Sequence, residues 1–297
     1  MTYFNSLLLL LFTFISASNL AAQMKTKDNT ATVGKSIFPI KNTRLYSKKG
    51  GFFIHWGYNF ANYTKSNIHF TGQGYDFTLK GVSAADRPSK LDMTYIRPKT
   101  ISIPQFNFHI GYNINDTYSV SIGWDHMKYV ADIPQTVKID GYISNTVSEA
   151  NIDASAFAGT YNGEEILLTE DFLTFEHTDG YNFASVAIER NDDIWVAKNQ
   201  NQSLAMETGI DLGLLIPRSD VRLFGTGANH YWNVAGWGAS AKVGAKFFFT
   251  KRLYLQGSLK FGFTNLTNIY TTGKEYSDRA KQNIGFFQQY IVLGFII

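Results

Sequence analysis

Two histidines stand close to carboxylates in the sequence, an arrangement that could support hydrolysis by a histidine-activated nucleophile. The pairs are Asp125 with His126 and His177 with Asp179. Such a histidine needs a carboxylate that orients it and a nucleophile within hydrogen-bond reach. The segment around Asp125 alternates as a β-strand does, so Asp125 and His126 point to opposite faces and cannot form one dyad. No Gly-x-Ser-x-Gly element is present to hold a nucleophile. We therefore expect no catalytic residues and no enzyme activity.

The composition gives little support for a metal site, a cofactor or a nucleic-acid partner. The six histidines are scattered without a His-x-x-x-His spacing, and the chain has no cysteine. Zinc sites need such clusters of His and Cys ligands. The net charge of +3 on 297 residues is too small to indicate a nucleic-acid partner. We predict no metal, no cofactor and no nucleic-acid partner.

Six further ionisable residues share a different property, since each falls on the polar face of a segment whose other face is apolar. They are Asp125, Glu207, Asp211, Lys242, Lys246 and Lys260. A soluble core would not accept lysines at such positions unless their charges were paired. What these six residues do therefore depends on the strands that carry them.

The lysines lie on a long predicted hairpin. From 235 to 249 every odd position is apolar, while the even positions are mostly Gly, Ser and Lys. After Thr250-Lys251-Arg252 the alternation resumes over 253–264. Each arm is longer than the usual strand of a soluble protein. An apolar outside with a polar inside is typical of a transmembrane β-barrel. The alternative is one amphipathic hairpin of a soluble sandwich.

The turn at 250–252 also predicts the register of this hairpin, with Lys246 opposite Gln256 and Lys242 opposite Lys260. Directly opposed like charges destabilise a sheet, so acidic groups are expected to offset them.

The inward positions of the neighbouring strands supply those acids. We predict a network in which Asp211 lies between Lys242 and Lys260 and Glu207 lies near Lys246, with Asp125 facing the same lumen. In a low-dielectric interior, such charges are tolerated only when they are paired.

The rest of the chain predicts an all-β, single-domain antiparallel barrel of eight strands, with ten to twelve as the alternative. The predicted strands cover residues 52–61, 103–114, 118–125, 181–190, 204–216, 235–249, 253–264 and 287–297. Four long loops cover residues 63–100, 131–179, 218–232 and 265–285. The first is expected to contain a hairpin at 68–79, and the second contains strand-like runs at 136–143 and 165–175. Outer-membrane barrels combine short periplasmic turns with long outer loops.

The N-terminus predicts export. Residues 1–22 are expected to form a signal peptide, because the apolar run 7–15 is followed by small residues. That run is well short of the roughly 20 residues that span a membrane. Residues 23–50 are polar and basic and are expected to be a periplasmic lead-in, so the barrel would occupy residues 51–297.

Three segments resemble an uncharacterised bacterial family of outer-membrane β-barrels. They are NYTKSNIHFTGQGYDFTLKGVSAADRP at 62–88, SIGWDHMKYV at 121–130 and LTEDFLTFEHTDGYNF at 168–183. The overall plan is similar to small OmpA-like and OmpW-like barrels. The resemblance implies the fold and an outer-membrane location.

These observations predict a monomeric outer-membrane protein with a structural or surface-binding role and a lumen largely filled by side chains. The alternatives are a narrow pore or small hydrophobic-ligand channel, and an enzyme that modifies outer-leaflet lipid. We expect contacts with outer-membrane lipid and lipopolysaccharide, whose phosphates would meet His126 and Lys128, and with an unknown extracellular ligand.

Overall fold

The computed structural model describes residues 48–227 and 231–297, and nearly all of its regular structure is β-strand. Short 3-10 helices occupy Met93–Tyr95 and Ser155–Phe157. The strands are β1 (Phe52–Tyr63), β2 (Ser66–Gly72), β3 (Tyr75–Val82), β4 (Ala84–Ala85), β5 (Phe106–Asn113), β6 (Tyr118–Ala131), β7 (Gln135–Ile143), β8 (Thr146–Val147), β9 (Ile152–Asp153), β10 (Gly159–Leu168), β11 (Leu173–Val196), β12 (Ser203–Leu215), β13 (Arg218–Leu223), β14 (Tyr231–Trp232), β15 (Gly236–Phe248), β16 (Leu253–Tyr270) and β17 (Arg279–Ile296).

Eight of these strands close into an antiparallel barrel. Their order is β1, β5, β6, β11, β12, β15, β16, β17, and β17 pairs back with β1. Closure removes the two free edges that an open sheet would expose. The predicted fold class and the predicted number of strands are confirmed.

The hairpin of β15 and β16 has the predicted register. Phe248 pairs with Tyr254 next to the turn, and Lys242 pairs with Lys260 further along the ladder. Because the side-chain period of a strand is two, this register places both lysines on the same face. That face is the inside of the barrel, where both residues are buried.

The outside of the barrel is an apolar belt. Ile122, Ile210 and Leu212 are 70%, 64% and 63% exposed, whereas Ser121 and Asp211, their neighbours in sequence, are buried. The same alternation holds along the other strands of the ring. The polar side chains therefore face inward and the large apolar side chains face outward, the reverse of a soluble sandwich.

The two ends of the barrel differ. At one end, here called the turn end, the connections are short and cover residues 114–117, 197–202 and 249–252, and both ends of the described barrel lie there. At the other end, the loop end, the described parts of the connections cover residues 64–105, 132–172, 216–227 with 231–235, and 271–278. This is the predicted asymmetry between short turns and long loops.

The loop end carries a second sheet that grows out of the barrel wall. β2 pairs with the beginning of β17, with Phe70 opposite Ala280, and β3, β7 and β10 follow in that order. Strand β13 pairs with the beginning of β11. These strands enclose an apolar core of buried residues that includes Phe77, Ile139 and Phe175. The loops thus form a folded layer whose apolar core continues into the loop end of the barrel.

Several predicted boundaries need correction. The fourth barrel strand, predicted at 181–190, extends over Leu173–Val196, because its beginning also pairs with β13. The second barrel strand begins at Phe106, not at residue 103. The single run predicted at 165–175 is wrong, since a tight turn separates β10 from β11. In that turn the amide groups of Phe172 and Leu173 donate to the carbonyl of Thr169.

The predicted signal peptide and nearly all of the predicted lead-in lie outside the described residues, and both stay predictions. Among residues 48–227 and 231–297, no helix is long and apolar enough to cross a membrane.

Candidate functional site

All six ionisable residues singled out from the sequence lie inside the barrel. Lys242 and Lys246 come from β15, Lys260 from β16, Glu207 and Asp211 from β12, and Asp125 from β6. Each is at most 4% exposed. The period-two alternation of these strands brings the six side chains to one interior layer.

Lys242 is surrounded by three carboxylates. Its Nζ lies 2.9 Å from Oε1 of Glu189, 3.7 Å from Oδ1 of Asp211 and 3.9 Å from Oε1 of Glu207. The short contact is a charge-assisted hydrogen bond, and the two longer ones are ionic contacts across the lumen. Glu189 is therefore the principal partner of Lys242.

Lys260 binds a different carboxylate. Its Nζ lies 2.5 Å from Oδ2 of Asp125 and 3.6 Å from Oδ2 of Asp211. Asp125 also accepts a hydrogen bond from Nδ2 of Asn107 at 2.6 Å, and Nε2 of His109 lies 3.0 Å from its Oδ1. Asp125 is thus held by three partners, whereas Asp211 lies between the two lysines at longer range.

Lys246 closes the network toward the turn end. Its Nζ forms an ion pair with Oε2 of Glu207, whose other oxygen accepts a hydrogen bond from Nε2 of Gln256 at 2.8 Å. The Lys246 ammonium also lies 5.2 Å from the ring centroid of Phe53 and 5.4 Å from that of Tyr254. Cation–π contacts of this kind stabilise a cation that has lost part of its hydration.

Glu189 was missed by the sequence reasoning, although the signal was present. The predicted fourth strand placed Ala184, Val186 and Ile188 outward, so the same alternation places Glu189 inward. The carboxylate accepts hydrogen bonds from the hydroxyl groups of Ser121 at 2.5 Å and Ser119 at 3.0 Å. Among the described residues, four carboxylates and three ammonium groups therefore meet in this layer.

Aromatic side chains lie on both sides of the charged layer. Toward the turn end, Phe248 and Tyr254 are buried with ring centroids 5.2 Å apart. Toward the loop end, Phe183 is buried with its ring 5.9 Å from Nζ of Lys260, and Tyr129 and Tyr181 pack beyond it. The chemistry available to this layer is the pairing of opposite charges in a space with little contact with solvent.

The Asp125–His126 pair is divided between the two faces of β6, as its alternation predicts. Asp125 faces the lumen, whereas Nδ1 of His126 lies 2.8 Å from Oδ1 of Asn182. The His126 ring stacks on Phe106 at 5.1 Å and is buried. The expectation that His126 faces lipid phosphates is therefore wrong, because its ring is covered. Lys128, two residues further on, is half-buried, with Nζ 3.5 Å from Oγ of Ser89.

His177 and Asp179 also do not come together. Nδ1 of His177 lies 2.7 Å from Oγ of Ser219, while Asp179 lies 3.6 Å from Arg218. Aromatic rings, including those of Tyr129 and Tyr181, surround His177 in the loop-end core. Burial lowers the pKa of His177 to about 3. A carboxylate that would orient this histidine for catalysis is not among its hydrogen-bond partners in the described structure.

In the part of the chain that the structure describes, no group of three or more His, Asp and Glu side chains is arranged to hold a metal ion.

The solved structures that resemble the chain include outer-membrane β-barrel proteins, all at low sequence identity. No family model matches the chain, and no curated protein matches it. Among solved structures, the outer-membrane protein OprG from Pseudomonas aeruginosa is 8% identical, with a TM-score of 0.38 over 86% of this chain and 99% of that chain. Neisserial surface protein A is 11% identical, with a TM-score of 0.32 over 81% of this chain and 95% of that chain. The outer-membrane protease OmpT from Escherichia coli is 9% identical, with a TM-score of 0.31 over 83% of this chain and 97% of that chain. At this level of similarity, no activity is transferred from these proteins to this chain.

Proposed function

We propose that the chain is an outer-membrane β-barrel with a structural or surface-binding role, whose lumen is filled by side chains. The observation that carries this proposal is the charged layer, in which Lys242 and Lys260 are each paired with a different carboxylate and almost no surface of either lysine is exposed. An eight-stranded barrel is narrow enough for its own side chains to fill the interior. A solute would have to displace these ion pairs in order to pass.

The location follows from the outer surface. A ring of exposed apolar side chains is costly in water and stable in hydrocarbon. The buried lumen and the exposed belt together are the side-chain distribution of a barrel whose solvent is lipid. The short connections at the turn end support an orientation with that end in the periplasm and the loop end outside the cell.

The folded layer at the loop end supports the surface-binding part of the proposal. Its sheet of β2, β3, β7 and β10 has a packed core, so it presents a defined surface. Loops held on a rigid scaffold commonly carry binding functions. Among the described strands of this sheet, β10 forms the edge, and it exposes Glu164, Glu165 and Leu167.

Membrane fractionation and conductance test the proposal. We expect the protein in the outer-membrane fraction, with folded and heated samples migrating differently on a gel. Purified protein in planar bilayers should give no steady conductance above that of protein-free bilayers. A protein found in the soluble periplasmic fraction would contradict the location, and steady large conductance would replace the filled-lumen proposal with the pore alternative.

An epitope inserted at Gly159-Thr160 tests the orientation. This position begins the exposed edge strand β10 at the loop end. Antibody should label the epitope on intact cells, while an epitope inserted next to Lys251, in the turn-end connection, should be labelled only after lysis. The opposite pattern would show that the barrel is inverted.

A further inference from the structure

Residues 86–105, here called the collar segment, connect β4 to β5 and pack against the outward side of the barrel wall at the loop end. The Tyr58 hydroxyl donates a hydrogen bond to the carbonyl of Tyr95, and the two rings meet edge to face at 4.8 Å. Tyr58 is an outward residue of β1, because its ladder partners Phe106 and Ile291 face outward while Asn59 is buried in the interior. The collar segment therefore lies beside the apolar belt.

The collar segment is anchored to the barrel by an acidic side chain. One carboxylate oxygen of Asp86 accepts the backbone amide of Ala61 at 2.8 Å, and the other accepts Nε2 of Gln105. Asp92 caps the short helix at Met93–Tyr95 by accepting the amide of Thr94 at 2.8 Å. Both acids of the segment are thus used to build its backbone conformation.

The segment exposes four large apolar side chains. Leu91, Met93, Ile96 and Ile103 are 88%, 49%, 66% and 52% exposed. Single exposed apolar residues are ordinary, but a group of four in one short connection indicates an interaction surface. Since the segment contacts the lipid-facing residue Tyr58, the apolar surface that continues this group is the hydrocarbon around the barrel.

Basic side chains accompany the apolar ones. Lys90, Arg97 and Lys99 are exposed in the same segment, and Arg87 pairs with Glu176 at 2.8 Å. Cations that lie at the level where acyl chains meet head groups are matched by lipid phosphates. An apolar group interspersed with cations fits an amphiphile whose head group is anionic.

We propose that the collar segment binds a phosphorylated lipid of the outer leaflet, with Leu91 and Ile96 against acyl chains and with Lys90, Arg97 and Lys99 around the phosphates. This proposal rests on the proposed outer-membrane location. It assigns the lipid contact to the collar segment, whereas the sequence predicted this contact for His126, which is buried, and Lys128, which is half-buried. A second copy of the chain is the competing occupant of this surface.

The charge part of the proposal is tested on the full chain, folded in detergent, with lipid A as the probe. Lipid retained after gel filtration is measured for bisphosphorylated lipid A and for the same lipid without its phosphates. The variant Lys90→Gln/Arg97→Gln/Lys99→Gln is compared with Lys138→Gln/Lys274→Gln/Lys281→Gln, which removes three exposed lysines elsewhere at the loop end. The collar variant should retain at least about tenfold less bisphosphorylated lipid, since each basic residue near an anionic surface contributes several-fold. The control variant should match the wild type.

A second pair of variants tests the proposed contact between apolar side chains and acyl chains. Leu91→Ser/Ile96→Ser should lower retention of both forms of lipid A, whereas Leu167→Ser, which changes an exposed leucine on β10, should lower neither. Equal retention of the two lipid forms by the wild type, or equal retention by the collar and control variants, would overturn the proposal.

Two further readouts separate the possible failures. Heat-modifiable migration of each variant reports whether the barrel has folded, so loss of lipid from a folded barrel is distinct from failure to fold. Because the chain has no cysteine, Ile96→Cys introduces one reactive thiol. We expect Ile96→Cys to remain monomeric when oxidised in bilayers. Efficient disulfide dimers would assign the surface to a second copy and overturn lipid binding, while a wild-type protein outside the outer-membrane fraction would overturn the proposed function itself.

Discussion

Lys242 and Lys260 are direct partners in the ladder between β15 and β16, yet their ammonium groups bind different carboxylates. Lys242 reaches Glu189 on β11 at 2.9 Å, and Lys260 reaches Asp125 on β6 at 2.5 Å. Two like charges at directly opposed positions would repel each other. Because the two lysines bind acids on different strands, their ion pairs connect β11 and β6 to the hairpin across the lumen.

This division of partners predicts that Glu189 contributes more to stability than Asp211. Glu189→Gln leaves Lys242 without its short ion pair, and breaking a buried pair costs about 3 kcal/mol. Asp211→Asn should cost about 1 kcal/mol, because each lysine keeps its nearer carboxylate. The control is Asp171→Asn, at an exposed position of the loop end. Urea unfolding of the refolded barrel, followed by tryptophan fluorescence, should show the largest loss of stability for Glu189→Gln. The loss should be smaller for Asp211→Asn and smallest for Asp171→Asn. A larger loss for Asp211→Asn than for Glu189→Gln would show that the central carboxylate dominates.

A double-mutant cycle on Lys246 and Glu207 measures the ion pair nearest the turn end. Lys246→Met alone leaves the Glu207 carboxylate buried without its closest cation, and the additional change Glu207→Gln removes that charge. The double variant should therefore lose about 1–3 kcal/mol less stability than the two single variants lose when their losses are added. The matched control is Lys80 with Asp140, a partly exposed pair of the loop-end sheet. Its coupling should stay below about 1 kcal/mol. Equal coupling for the two pairs would show that burial does not strengthen the lumen pair.

The sequence predicted the elements whose determinants are local. The register of Lys242 with Lys260 followed from one turn, and the inward position of Asp211 followed from the period of its strand. Glu189 was overlooked because its strand carries small residues such as Ala184 and Ala187, which give a weak alternation. In the loop-end sheet, the hairpin of β2 and β3 followed from its own alternation. The other strands were foreseen only as separate runs, since their pairings join distant segments, as when Phe70 of β2 meets Ala280 of β17. Periodicity identifies a strand, but it does not identify a partner two hundred residues away.

The loop-end core should weaken in acid because of His177. Burial lowers the pKa of this histidine from 6.5 to about 3. Between pH 6.5 and about 3, the unfolded chain binds a proton on this histidine that the folded core excludes. The loop-end core therefore has its full stability above pH 6.5 and becomes less stable as the pH falls toward about 3. Limited proteolysis of the loop end should therefore become faster as the pH is lowered through this range. His177→Gln should reduce the acid effect, because glutamine does not titrate in this range. Identical pH profiles for the wild type and His177→Gln would contradict this origin of the acid sensitivity.

Gly123 lies under the ring of His109, and a side chain there should disturb the group that holds Asp125. A Cβ atom at Gly123 would lie 2.3 Å from Cε1 and 2.5 Å from Nε2 of His109, closer than real contacts allow. Nε2 of His109 is the atom that lies 3.0 Å from Asp125. Gly123→Ala must therefore push the imidazole away from the carboxylate, and overpacking of this kind costs about 1–3 kcal/mol.

The matched control for that change is Gly257→Ala on β16. Gly257 faces outward, and a Cβ atom there would meet nothing within 4 Å. Both variants add one methyl group to a barrel strand, so any difference in strand propensity is small compared with the steric effect at Gly123. The urea midpoint of Gly123→Ala should fall, while that of Gly257→Ala should stay within the error of the wild type. Gly123→Ala and Asp125→Asn should both weaken the ion pair between Asp125 and Lys260. Their losses of stability should therefore be less than additive when the two changes are combined. Full additivity would mean that the methyl group acts only on local packing and leaves the Asp125 carboxylate in place.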